Sequence, residues 1–173
     1  MSSGSDSFFD WRKIALNLTT ACNLRCKMCP VVVRPTESLT RDEAFGVADF
    51  AARRGFDQIV VTGGEPTIMP YFWDLMDRLA ATPMLVQVLT NGYRLNPDHI
   101  ARMARMPRLI ANVSLDGVGP VHDAIRGEGA FAATDANIRG LIAAGVRVAV
   151  NTTVQAGNYR NMLDLYEHLK DYT

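Results

Sequence analysis

The sequence predicts an α/β domain built on a parallel sheet with helical crossovers. Three observations carry this. Five short apolar runs recur along the chain, each is followed by a stretch of helical spacing, and Gly, Pro or Asn punctuates the joins. Strand-then-helix alternation of this kind places parallel neighbours beside one another through right-handed crossovers.

Taken in order, residues 1–10 are polar at their start and read as a disordered leader, and residues 11–173 as the domain. Residues 13–19 alternate as a strand does. Thr40 and Glu43 form a capping box that opens a helix to residue 54, with Phe45, Ala48 and Ala52 inward and Gly55 as a left-handed cap. Gln58–Thr62 is continuously apolar after its first residue, as in a strand buried on both faces. A helix over 72–81 and a strand over 85–89 follow, then Asn96 as cap and Pro97 in the first turn of a helix to about residue 105. Residues 109–115 are a fourth strand, 131–144 a helix closed by Gly145, and 146–154 a fifth strand. The last helix, 158–171, places Met162, Leu165, Tyr166 and Leu169 at helical spacing.

With 173 residues, 48% of them hydrophobic, the chain can bury the core of one domain. Its 18 basic and 18 acidic residues cancel, which gives no electrostatic footprint for nucleic acid or an anionic membrane. No apolar stretch approaches the roughly 18 to 20 residues of a membrane span. Free cysteines without an export signal point to a reducing cytoplasm.

All three cysteines, Cys22, Cys26 and Cys29, follow the first strand in a C-x3-C-x2-C run, which points to a metal site. Three thiolates can wrap one face of an iron–sulfur cube and leave one iron open. Zinc would need a fourth protein ligand, or water, and His99, His122 and His168 are all distant in the chain. The odd count and tight spacing disfavour a disulfide. Cluster, zinc and chance grouping stand in that order.

This run resembles the signature of the radical S-adenosylmethionine (SAM) enzymes, and Gly63-Gly64-Glu65-Pro66 resembles the family's GGE motif. Ser114, Asp116 and the stretch 122–127 are similar to the core of molybdenum-cofactor synthesis enzymes and SPASM-type maturases. The resemblance implies a partial (β/α)6 barrel, here about five units with the sixth strand missing. It implies a [4Fe-4S] cluster on Cys22, Cys26 and Cys29, with SAM on the open iron. Met28 stands where the family commonly has an aromatic residue, and its thioether can pack on adenine.

In a parallel β/α barrel the site forms at the C-terminal strand ends, and the unusual residues of this chain fall there. By the resemblance, Gly63 and Gly64 let backbone carbonyls approach the SAM amino group while Glu65 holds the strand end. Thr90 and Asn91 occupy the next turn. Ser114 and Asp116, two apart and so on one face, contact the ribose, Arg126 pairs with the carboxylate, and Asn151 reaches the adenosine. Each has a plainer reading: turn chemistry for the Gly and Asn-Gly motifs, a surface ion pair for Arg126, a core asparagine for Asn151. His122 suits a hydrogen-bonding or capping role.

The implied reaction is reductive cleavage of SAM to a 5'-deoxyadenosyl radical that abstracts hydrogen. It calls for a flavodoxin- or ferredoxin-like electron donor, and for a peptide, a protein or a cofactor precursor as substrate. No acid–base residue is singled out. The alternatives are a zinc or iron–sulfur module without SAM chemistry, and a catalytically incompetent core fragment or partner subunit.

Overall fold

The computed structural model describes residues 12–30 and 35–172; the leader read over residues 1–10 lies outside them. Five strands, β1 (Lys13–Asn17), β2 (Gln58–Thr62), β3 (Leu85–Thr90), β4 (Leu109–Ser114) and β5 (Arg147–Asn151), form one sheet in chain order. Every neighbouring pair is parallel. Helices α1 (Arg41–Arg53), α2 (Phe72–Ala80), α3 (Pro97–Ala104), α4 (Pro120–Arg126) and α5 (Ala130–Ala143) make the crossovers, and α6 (Met162–Lys170) follows β5. This is the parallel α/β sheet that the alternation of elements predicts, in the partial-barrel form that the family resemblance implies.

The predicted start and stop signals act as such. Thr40 Oγ1 accepts from the Glu43 N–H, and the Glu43 carboxylate accepts from the Thr40 N–H at 2.8 Å, so both halves of the capping box are made. Asn96 caps α3 by accepting from the His99 N–H at 2.9 Å, with Pro97 first in the helix. Gly55 closes α1 in the left-handed region, at φ 66°.

The strand register divides the sheet into two faces. Leu16, Ile59, Val61, Val86, Val88, Ala111 and Val113 share the face that packs with Phe72, Leu75 and Met76 of α2, Met103 of α3 and Ile138 of α5. The alternate positions carry Asn17, Gln58, Gln87, Asn112 and Ser114, so the other face is polar along much of its length. In α1 the residues fully inside are Ala44, Ala48 and Ala51, while Phe45 and Ala52 only flank the core. Small side chains let this helix lie close to the sheet.

Four expectations need correction. The fifth strand ends at Asn151 rather than residue 154, because Thr152 Oγ1 donates to the Leu115 carbonyl and the Thr153 N–H to the Asp116 carboxylate. Helix α4 has no counterpart in the sequence reading: it is 7 residues long, starts with Pro120 and lies between Gly119 and Gly127, so its periodic signal is short. The last helix begins at Met162, after a 3-10 turn over Tyr159–Asn161. Tyr166 faces solvent and not the core.

Candidate active site

The C-terminal ends of β1 to β4 open into one cavity of about 200 Å³. It is lined by Cys22, Cys26, Met28 and Cys29 from the loop after β1, and by Thr62, Gly63 and Gly64 at the end of β2. Leu89, Thr90 and Asn91 come from β3, Ser114 from β4 and Arg126 from α4. Of the residues singled out in the sequence, Glu65, Asp116 and Asn151 are outside this lining. Thr62 and Leu89 are additions; each sits at a strand end beside a motif residue, a position that could have disclosed it.

The cysteine loop is held by backbone contacts with other elements. Gly64 N–H donates to the Thr19 carbonyl at 2.6 Å, Glu65 N–H to that of Ala21 at 2.9 Å, and Lys27 N–H to that of Ile125 in α4 at 3.0 Å. A Cβ on Gly63 would stand 2.6 Å from the Thr19 carbonyl oxygen, and one on Gly64 would collide with the Ala21 carbonyl. In this structure the paired glycines therefore serve the approach of β2 to the cysteine loop, as well as facing the cavity.

Glu65 is 1% exposed, and its carboxylate accepts from Thr67 N–H, Thr67 Oγ1, Thr90 Oγ1 (2.8 Å) and Asn91 N–H (2.7 Å). Burial pushes its carboxyl above the usual range, and these donors counter the shift. Glu65 thus ties the end of β2 to the end of β3 from behind the cavity. Asn91 continues the chain: its Nδ2 donates to Asn23 Oδ1 at 2.8 Å and reaches Cys22 Sγ at 3.8 Å.

Asp116 and Ser114 differ in what they reach. Ser114 is the last residue of β4 and lines the cavity; beyond it the alternation lapses, and Asp116 turns inward to 0% exposure. Its carboxylate accepts from Arg126 Nε at 2.6 Å and Thr153 N–H at 2.8 Å. Its backbone N–H donates to His122 Nδ1 at 3.0 Å, and its carbonyl accepts from Asn158 Nδ2 at 2.7 Å. The pair with Arg126 is buried, not a surface ion pair, and leaves the outer end of the guanidinium at the cavity. His122 fills the hydrogen-bonding role expected of it. Asn151 is exposed at the end of β5.

All three thiols are free. Burial pushes those of Cys22 and Cys26 above the ordinary thiol range; the Leu24 N–H and the Asn91 amide counter this at Cys22, as the Arg126 charge does at Cys26. Donors and a cation placed beside the sulfurs offset part of that cost of forming thiolates, the form that binds metal. Among the described residues no group of three or more His, Cys, Asp or Glu is placed to hold a single metal ion. A cluster asks something different: each thiolate takes its own iron, so the sulfurs need only face one cavity. Asn23 Nδ2, beside Cys22, is a buried donor with no protein partner. Three cysteines facing a cavity with spare donors fit an iron–sulfur cluster.

Comparison with known proteins agrees with this geometry. Residues 16–171 match the Radical SAM superfamily. The mycofactocin maturase MftC of Mycobacterium ulcerans is 35% identical over 157 residues, covering 89% of this chain and 42% of that protein. The AdoMet-dependent heme synthase of Methanosarcina barkeri is 32% identical over 165 residues, covering 92% and 47%. Among solved structures, Streptococcus suis SuiB bound to precursor peptide SuiA superposes with a TM-score of 0.79 at 15% identity, over 94% of this chain and 37% of that one. The chain spans less than half the length of these relatives. The chain belongs to the radical SAM superfamily, whose cofactors are a four-iron, four-sulfur cluster and SAM.

Proposed function

We propose that this chain is the core of an enzyme that cleaves SAM reductively in order to modify a peptide. The observation that carries the reading is the convergence of Cys22, Cys26 and Cys29 with Gly63, Gly64, Thr90, Asn91, Ser114 and Arg126 on one cavity. When bound, the cofactor pair supplies a 5'-deoxyadenosyl radical that takes a hydrogen atom from an unreactive bond. The chain's own residues bind and orient. Cys22, Cys26 and Cys29 hold the cluster. Arg126, locked at Nε by Asp116, presents its remaining N–H groups to the SAM carboxylate, a pairing to which a planar guanidinium is suited. Ser114 offers a hydroxyl to the ribose, Met28 packs on the adenine, and Gly63 and Gly64 offer backbone groups to the amino end. Glu65 and Asp116 act from behind by fixing Asn91 and Arg126. A low-potential flavodoxin- or ferredoxin-type protein delivers the electron.

The likeness to a mycofactocin maturase, and to the fold of a structure that holds a precursor peptide, supports a peptide substrate. The likeness to a heme synthase supports a cofactor precursor as the second reading.

Electron paramagnetic resonance (EPR) of the anaerobically reconstituted, dithionite-reduced protein, with and without SAM, tests the proposal. A four-iron signal that changes shape on adding SAM is expected, together with loss of signal and of SAM cleavage in Cys26→Ala. Zinc in place of iron, or a Cys26→Ala variant with full iron content and turnover, overturns it.

A further inference from the structure

We propose that Asn91 is a positioning residue for the cluster: its side-chain amide donates a hydrogen bond to the sulfur of Cys22 and so raises the potential at which a bound cluster takes up an electron. The inference rests on the cluster reading above and goes beyond it, since it gives Asn91 a part that acts through a ligand and not on SAM.

The geometry is over-determined. Asn91 Nδ2 lies 3.8 Å from Cys22 Sγ, within reach of an N–H to sulfur bond, and 2.8 Å from Asn23 Oδ1. The amide can face only this way, because its Oδ1 accepts from the Tyr93 N–H at 2.9 Å, a duty the nitrogen cannot perform. The backbone is pinned as well: the Asn91 N–H donates to Glu65 Oε2 at 2.7 Å and its carbonyl accepts from Thr134 Oγ1 at 3.1 Å. Asn91 is 6% exposed, so water does not readily replace the donor. The Leu24 N–H supplies a second donor to the same sulfur at 3.4 Å.

Hydrogen bonds to cluster sulfurs are among the protein's levers on reduction potential. The added electron makes the thiolates more negative, so a fixed N–H donor stabilises the reduced cluster more than the oxidised one. Removing the donor makes the cluster harder to reduce.

The test is an EPR-monitored redox titration of the reconstituted protein, with iron content and far-UV circular dichroism as controls. Asn91→Leu keeps the branched shape at Cγ and removes the donor without adding charge. The expected result is wild-type iron content with the midpoint displaced to more negative potential. Asn23→Ala, which leaves the Asn91 amide in place, should shift it less. A fully loaded Asn91→Leu variant with the wild-type midpoint overturns the proposal. Should Asn91→Leu fail to load, Asn91→Ala decides: it removes the donor without adding bulk or charge, so a negative shift supports the proposal and an unchanged midpoint overturns it. A wild-type protein that forms no four-iron cluster fails the earlier reading and this one with it. That failure is distinct, because it shows before any variant is made.

Discussion

Gly64 and Gly46 are both glycines in or beside regular elements, yet they should answer a methyl group in opposite ways. At Gly64 a Cβ meets the Ala21 carbonyl, which is backbone and cannot swing aside. Gly64→Ala should cost about 2 to 3 kcal/mol in urea unfolding and lower iron uptake by displacing the cysteine loop. Gly46 lies inside α1 with nothing near its Cβ position. Gly46→Ala should therefore stabilise by about 0.5 to 1 kcal/mol, read in the same titration, by removing backbone freedom from the unfolded chain. The cysteine run and the Gly-Gly pair were legible because each is a local pattern with one dominant physical use. What faces each glycine was not legible: the Thr19 and Ala21 carbonyls lie some forty residues away in sequence. The bond from Arg126 to Asp116 was not legible either. It forms beyond Ser114, where β4 and its alternation end.

Helix α4 joins the far side of the cavity to the sheet through Asp116, His122 and Arg126. Removing one partner of the buried Asp116–Arg126 pair strands a charge, so Asp116→Ala should cost about 3 to 5 kcal/mol in denaturant unfolding. The double change Asp116→Leu with Arg126→Met should cost less than that, since no unpaired charge remains. His122 makes the same element sensitive to acid. Burial first, then the Arg126 charge, pushes its imidazole down to about 4. The unfolded chain, with histidine near 6.5, binds the proton more readily than the folded one. The stability held by neutral His122 is thus present above pH 6.5 and lost as pH falls towards 4, by up to about 3 kcal/mol. Thermal melts across that window should show a slope that His122→Gln flattens. The residues were singled out in the sequence but the helix that carries His122 and Arg126 was not, because seven residues between two glycines carry too little periodicity to announce one. The long helices were read within a few residues. Their caps, Thr40 with Glu43 and Asn96 with Pro97, are chemistry local to the chain.

That the sheet is parallel was predictable from five apolar runs separated by helices; its order, β1 to β5 in sequence, came from the family resemblance, because the same alternation also builds doubly wound sheets. Stability across the sheet is not uniform. β2, β3 and β4 have a neighbour on each side, with β2 and β4 the most deeply buried, whereas β5 has half-buried side chains and is followed by α6, of which only Leu165 is buried. Hydrogen exchange should therefore be slowest in β2 and β4 and fastest in β5 and α6. Among the links between α5 and residues 168–172 is Asp135, which accepts from Tyr172 and Arg139 and pairs with His168. Asp135→Ala should speed exchange in α6 while leaving β2 unchanged. The tie between Lys27 and Ile125 matters for another reason. Three cysteines within eight residues of one another are synthesised together, but the backbone that seats their loop comes nearly a hundred residues later. A growing chain thus exposes its thiols long before it can shape a socket for them. Loading with iron and sulfide belongs to the finished fold, and the interval before it is when a reducing environment, or an escort for the bare cysteines, matters most.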